Sequence, residues 1–391
     1  MNPVYIVQGA RTAMGAFQGS LATVTAPALA AATINATLSA SGLKPEQVQE
    51  VILGCVLPAG LKQAPARQAM RLAALPDYIT ATTINKVCGS GMKAIMFAAD
   101  SILLGHADVV IAGGMESMSN APYLLPKARA GYRMGHGEVK DHMFLDGLED
   151  AGTGKAMGVF AQQMADEKGY SRQQMDDFAI RSLTRAQQAI AAGYFQDEIV
   201  PVEVQTRQGT VLVSEDEQPG KANLEKIPQL KAVFRQDGTV TAANSSSISD
   251  GAASVVLASQ AVVDAEQLTA LGKIVAYASH AQHPSEFTIA PIGAIEKVLQ
   301  KAGWSVADVE LWEINEAFAM VTMAAIDALG LDAERVNIHG GACALGHPLG
   351  ASGARIVVSL MHALKRTGQR KGIASLCIGG GEATAIAIEI C

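Results

Sequence analysis

The chain repeats itself. Residues 36 to 54, ATLSASGLKPEQVQEVILG, align with residues 297 to 315, KVLQKAGWSVADVELWEIN, at an offset of 261. Both stretches read as helix, glycine, short turn, acidic loop and strand. Near the same offset, GSGMKAIMFAADSILLGHADVVIAGG matches ASGARIVVSLMHALKRTGQRKGIASLCIGG. Self-similarity at one long period means that a single folding unit is used twice. The strand-like runs VYIVQGA, EVILGCV, ADVVIAGG, KIVAYAS, LWEIN and GIASLCIGG alternate with helical ones. That alternation predicts α/β layers, each copy ending in a glycine-rich turn after a central strand.

Composition narrows what such a pair of units does. Apolar residues make up 49% and aromatics only 5%, so Ala, Gly, Val and Ile build an interior suited to close helix-on-sheet packing. A net charge of −7 with no basic block argues against a nucleic-acid partner, whose phosphates need a basic face. No apolar run approaches the ~20 residues that span a bilayer, and no signal-peptide pattern opens the chain. Five scattered cysteines without a C-x-x-C point to reduced thiols and a cytoplasmic location.

Between the copies lies a segment rich in Met, Gly and charge. It holds a predicted amphipathic helix, SRQQMDDFAIRSLTRAQQAIAAG, and a hairpin-like IVPVEVQTRQGTVLVSEDE. The expected division is 1–118 plus 250–271 for the first half, 119–249 for an inserted loop domain, and 272–391 for the second half. Long insertions in compact domains tend to be functional, so this one is expected to cap a ligand site.

In NKVCGSGMKAIMFAADSILL, the residues Met92, Ile95, Met96, Ala99, Ile102 and Leu103 mark one apolar helix face. Cys88 therefore falls where a strand, ATTIN, becomes a helix. Free N–H groups and the dipole at a helix start favour a thiolate, and Gly89 and Gly91 permit a tight turn. A small buried cysteine is the ordinary alternative; the flanking glycines shift the reading towards a nucleophile. The second copy supplies further chemistry in NEAFA (Asn315 to Ala319), HGGACALGHPLGASG (His339 to Gly353) and CIGGG (Cys377 to Gly381). Sites in doubly wound sheets form at the carboxyl ends of strands, so two cysteines, a histidine and an asparagine are expected to converge. His339, Cys343 and His347 have a spacing that suits zinc on a helix, but their glycines and Pro348 make a continuous helix improbable. GTGKA lacks the glycine and hydroxyl residue of a phosphate loop, since Glu149 and Ala156 stand there.

NKVCGSGMKAI, NEAFA, GGACALGHPLGASGARI and CIGGGEATA, in that order, resemble the signature blocks of the thiolase family. The likeness runs along the whole chain, through VILGCVLPAG and AGGMESMSNAPY, and is nearest to the family's bacterial acetyl-CoA acetyltransferases. The resemblance implies α/β halves stacked as layers α-β-α-β-α with an inserted loop domain. It implies reversible Claisen condensation of two acetyl-CoA to acetoacetyl-CoA plus CoA, through an acyl-cysteine. Cys88 would be the nucleophile, His347 its activator, and Cys377 the acid/base for the α-proton. Asn315 would hold a water in one oxyanion hole, with the amides of Cys88 and Gly379 forming the other. Ser246 would touch the pantetheine, Met157, Phe318 and Phe287 would line the acyl pocket, and Lys221 would lie on the adenine. Coenzyme A thioesters enter as substrates, with no cofactor or metal. Two positions depart from the family pattern. Ala156 stands where a histidine is common, and Phe287 where a Met-Gly pair is common.

Three other readings compete with acetoacetyl-CoA chemistry. They are a thiolase for longer 3-ketoacyl-CoA chains, a decarboxylating ketoacyl synthase, and a non-catalytic scaffold. Cys377 argues against the synthase, which lacks a second catalytic cysteine. The family forms dimers that pair into tetramers through a loop such as LLPKARAGYRMGHGEVKDHM, so a homotetramer is expected.

Overall fold

The computed structural model describes residues 3–391. The chain begins with β1 (Val4–Thr12), α1 (Ala26–Ser41), β2 (Glu50–Gly54), α2 (Pro65–Leu72), β3 (Thr80–Ile84), α3 (Ser90–Leu103) and β4 (Val109–Ser117). A long excursion follows, with α4 (Met157–Glu167), α5 (Arg172–Ala191) and a hairpin of β5 (Val202–Thr206) and β6 (Gly209–Val213). The chain then returns as β7 (Ser249–Ser259). It continues with β8 (Gly272–Ala281), α6 (Ala290–Ala302), β9 (Leu311–Ile314), α7 (Ala319–Leu329), α8 (Leu349–Thr367), β10 (Lys371–Ile378) and β11 (Glu382–Ile390).

The duplication is visible in the strand order. From one edge to the other the order is β3-β2-β4-β7-β1-β8-β11-β10-β9. The two copies meet where β1 and β8 pair antiparallel through Val4–Ile274, Tyr5–Lys273 and Ile6–Gly272. Outward from that joint both run through an antiparallel strand to parallel ones, β4, β2 and β3 on one side and β10 and β9 on the other. Helix ends repeat as well. Gly42 and Gly303, 261 residues apart, both close their helices with left-handed φ, +77° and +68°. Only glycine adopts that conformation without penalty. The 3₁₀ turns Pro45–Gln47 and Val306–Asp308 follow at the same offset.

Three apolar clusters define the layers. One joins α1 and α2 to the outer face of the first copy's strands, through residues such as Leu29, Ile34 and Met70. Another joins α6 and α7 to the outer face of the second copy's, through Ile295, Val298 and Trp312. The third lies between, where α3 and α8 fill the space separating Ile6, Val110 and Val255 from Leu376, Ile386 and Ile388. This is the α-β-α-β-α stack. Small residues make the middle layer thin. A Cβ on Gly91 would sit 2.8 Å from the Ala354 backbone nitrogen, so α3 and α8 touch backbone to backbone.

The excursion packs over the second copy. Its helix α5 starts with a capping box in which Ser171 and Gln174 satisfy each other's backbone amides. Phe160 and Met164 of α4 and Met175 and Phe178 of α5 share a cluster with Phe318, Met320 and Cys377. A loop between the paired segments Tyr123–Leu124 and Lys140–Asp141 stands out from the body, with Met134 98% exposed.

Candidate active site

The parallel pair β9 and β10 brings two site residues to one end of the sheet. Asn315 follows β9 directly and donates its N–H to the Ser375 carbonyl at 3.0 Å. Cys377 is the penultimate residue of β10, opposite Ala383. Cys88 lies four residues past β3 and two before α3, at a sharp elbow. Its neighbour Val87 has φ +46°, a left-handed conformation that a β-branched residue rarely holds. Hydrogen bonds fix that strain. The Val87 amide donates to Asn85 Oδ1 at 2.9 Å, and Ser90 Oγ donates to the Val87 carbonyl at 2.7 Å. A Cβ on Gly89 would collide with Ile378, so the glycine lets the Cys88 turn close onto the Cys377 strand. The Gly379 amide then comes near enough to Cys88 to favour its thiolate.

Burial sets the charge state of these groups. The Cys88 thiol is pushed up to about 11 by desolvation, against which the Gly379 and Cys88 amides act only partly. The expectation that the helix start would favour a resting thiolate is corrected here, because loss of water outweighs the oriented amides. Cys377 is fully buried and is raised well above the ordinary thiol value, first by burial and then by the neighbouring Cys88 charge. His347 is lowered to about 3, by burial and then by the positive charge of Arg355. At neutral pH the resting site holds two thiols and an uncharged imidazole.

The imidazole tautomer follows from its neighbour. Ser352 Oγ donates its one hydrogen to the Pro348 carbonyl at 2.9 Å, so it accepts at 2.5 Å from His347 Nδ1–H. His347 Nε2 is thereby left bare, buried and without a partner. Asn315 Nδ2 is also buried and unpartnered. A bare base and an unused donor suit proton transfer and stabilisation of a charged oxygen.

Two cavities approach these residues. One of about 580 Å³ is lined by Val87, Gly379 and Gly380, by Met157 and Phe160 of α4, and by His283. Met157 Sδ stands 3.3 Å from where a Gly379 Cβ would be. Phe318 and Phe287 are buried in the Cys377 cluster, ring edge against ring face with centroids 6.5 Å apart. The second cavity, about 250 Å³, lies beside α5 and is lined by Asn223, Lys226, Ala243, Ser247 and Cys343 among others. Ser246 is half-buried and donates its N–H to the Ala317 carbonyl at 2.9 Å; its neighbour Ser247 faces the cavity. Lys221 is exposed and paired with Glu217, while Lys226 lines the wall. His339 sits apart from His347, between Tyr194 and Phe195 rings, and the intervening chain breaks into a four-residue helix, Ala342–Leu345.

Several functional contacts escaped the sequence reading. Ser352 lies five residues past His347 inside the GASG run, but its tautomer-setting bond depends on the fold of α8. Phe234 packs edge-on against Phe318, centroids 6.4 Å apart, with no motif around it. Glu116 on β4 is buried and accepts N–H bonds from Val56, Leu57 and Gly350 at 2.8 to 3.1 Å. It ties the start of α8 to the first copy, and burial pushes its carboxyl up to about 7.

Paired α/β halves with a strained cysteine elbow facing a second cysteine define an acyl-transfer enzyme of the thiolase type. The model of the thiolase N-terminal domain matches residues 4–261, and that of the thiolase C-terminal domain residues 268–390. The chain belongs to the thiolase family. It is 49% identical over 390 residues to an acetyl-CoA acetyltransferase of Pseudomonas aeruginosa, covering 99% of each chain. It is 47% identical over 392 residues to one of Escherichia coli K12, covering 100% of this chain and 99% of the relative. The crystal structure of the Bacillus anthracis acetyl-CoA acetyltransferase superposes with a TM-score of 0.98 at 43% identity, covering 100% of this chain and 99% of that one. The Acat5 thiolase of Ascaris suum in complex with coenzyme A gives 0.95 at 41% identity, with full coverage of both.

Proposed function

We propose that this thiolase joins two acetyl-CoA into acetoacetyl-CoA and CoA, reversibly, with Cys88 carrying the acetyl group between half-reactions. The observation that carries the reading is the closure of the Cys88 elbow onto the Gly379 amide, with Cys377 beside it and His347 Nε2 bare. His347 Nε2 takes the Cys88 proton as the sulfur attacks the thioester carbon. The Gly379 and Cys88 amides receive the oxyanion, and coenzyme A leaves with the proton from His347. In the second half-reaction Cys377 takes the α-proton of another acetyl-CoA. The resulting carbanion attacks the acetyl carbon, the C–C bond forms as the Cys88 C–S bond breaks, and the Cys377 proton returns to Cys88. The order of events suits the electrostatics. Acetylation leaves Cys88 without an ionisable hydrogen, so no Cys88 thiolate can form to oppose a Cys377 thiolate in the acyl-enzyme.

The 580 Å³ cavity lined by Met157, Phe160 and Gly379 is assigned to the acyl end of the substrate, with Phe318 and Phe287 in the apolar cluster behind it. The cavity with Ser247 and Lys226, next to Ser246, is assigned to coenzyme A, with Lys226 rather than Lys221 supplying the positive charge. Coenzyme A esters are substrates, and no cofactor or metal takes part. The loop domain 119–249 covers both cavities between the halves 1–118 plus 250–271 and 272–391. The reading extends to a cytoplasmic homotetramer. No helix among the described residues is long and apolar enough to cross a membrane, and the five cysteines are free. Edge strand β3, Thr-Ala-Thr-Thr-Ile, offers unpaired backbone with no lysine or proline to protect it, which suits pairing with a second copy. The 125–139 loop exposes Leu125, Tyr132, Met134 and Val139 for contact between dimers.

The test is intact-protein mass spectrometry after brief exposure to acetoacetyl-CoA without free CoA. One acetyl group is expected on the wild type and none on Cys88→Ala. A folded wild type that gains no mass overturns the reading. Repeating the exposure with longer 3-ketoacyl-CoA esters ranks the substrates.

A further inference from the structure

We infer that Arg355 is a positioning residue that holds the Asn315 amide with its nitrogen, not its oxygen, towards the reacting thioester. The inference rests on the water-holding oxyanion role that the thiolase resemblance implies for Asn315, and goes beyond it. The O and N of an asparagine amide are told apart only by the groups around them. Arg355 Nη2 lies 3.2 Å from Asn315 Oδ1, and a guanidinium can only donate. The oxygen must therefore face Arg355, which leaves Nδ2 as the unpartnered buried donor. Arg355 is itself 1% exposed and pairs with Glu313 through a long ion-pair contact, Nη1 to Oε2 at 3.6 Å, so its one hydrogen bond is the one to Asn315. Both residues that orient the site come from one helix. Ser352 and Arg355 are three apart on α8 and so share a face. Ser352 fixes the His347 tautomer, and Arg355 fixes the Asn315 flip.

Counting hydrogens shows why the flip matters. The water that the thiolase resemblance places between Asn315 and His347 has two hydrogens to give. With Nδ2 inward, the water accepts from the amide, donates one hydrogen to His347 Nε2 and keeps the other for the thioester oxygen. With Oδ1 inward, the amide and Nε2 consume both hydrogens. The water then turns a lone pair towards the developing enolate oxygen and repels it. A flip therefore abolishes this oxyanion hole while leaving the one at Gly379 intact, so it damages enolate formation and spares acetylation of Cys88.

The experiment compares two rates in the full-length enzyme. One is acetylation of Cys88 by acetyl-CoA, read by mass. The other is exchange of acetyl-CoA α-hydrogens with D₂O, read by NMR. Arg355→Met combined with Glu313→Met removes the buried pair without stranding a charge. We expect exchange to fall on the order of 10²-fold, the cost of one oxyanion donor, while acetylation stays within about threefold. Arg355→Lys should restore part of the exchange, and Asn315→Ala should show no further loss when the pair is removed as well. Unchanged exchange, an equal fall in both rates, or additive losses in the Asn315→Ala background would overturn the inference. If the double variant does not fold, Arg355→Lys alone decides: exchange must fall more than acetylation. Failure of the wild type to acetylate Cys88 would instead strike the proposed function.

Discussion

The two cysteines of the site occupy comparable places, each at the carboxyl end of a strand in its own copy, yet their surroundings differ. Cys88 sits past its strand on a strained elbow and is half-buried. Cys377 is still within its strand and has no exposure. The one that protrudes can reach a carbonyl carbon arriving from solvent. The one kept inside can act only on an atom delivered to it, which suits a base for a C–H bond. Placement along the strand end, more than any intrinsic difference between two thiols, divides nucleophile from base.

The largest expected effect breaks this division at its buried member. Cys377→Ala should lower α-hydrogen exchange on the order of 10³-fold, within the usual range for a general base, while acetyl transfer to Cys88 remains measurable. Equal loss of both activities would mean that the cysteines act as one unit rather than in two roles. The second effect concerns the half-buried member. Because burial holds the Cys88 thiol near 11, the thiolate is scarce at neutral pH. Its alkylation by iodoacetamide should rise about tenfold per pH unit from 7 to 10, following the thiolate fraction. A plateau below pH 9 would show a thiolate already formed at rest. The smallest effect lies in the link between the two places. Lys86 before the elbow pairs with Glu382 after the Gly379 turn at 2.6 Å, both partly exposed. Lys86→Met should slow turnover only a few-fold, as expected for a partly exposed pair. A loss above a hundredfold would give that pair a role in the chemistry itself.

Much of this was readable from the residues, and the boundary is physical. The repeat was legible because helix caps and turns are local: Gly42 and Gly303 need the same left-handed backbone, and each imposes it on its own sequence. Cys88 at a strand-to-helix junction was legible for the same reason. Its charge state was not, because burial is decided by residues far along the chain, Ile378 and Gly379 among them. The roles of Ser352, Arg355 and Glu116 depend on which donors and acceptors meet after folding, and a serine or arginine on an amphipathic helix carries no mark of that. Lys221 and Lys226 illustrate the same limit. Both lie in one polar stretch, and only the turn of the chain decides which one faces a cavity.

The middle layer has a consequence for how the molecule comes apart. Helices α3 and α8 each contribute side chains to an interior bounded by the strands of both copies, so neither copy possesses a complete core. A copy separated from its twin would present one entire face of its central helix and sheet to water. The expected consequence is that such a fragment does not fold alone and that the whole chain unfolds in one transition.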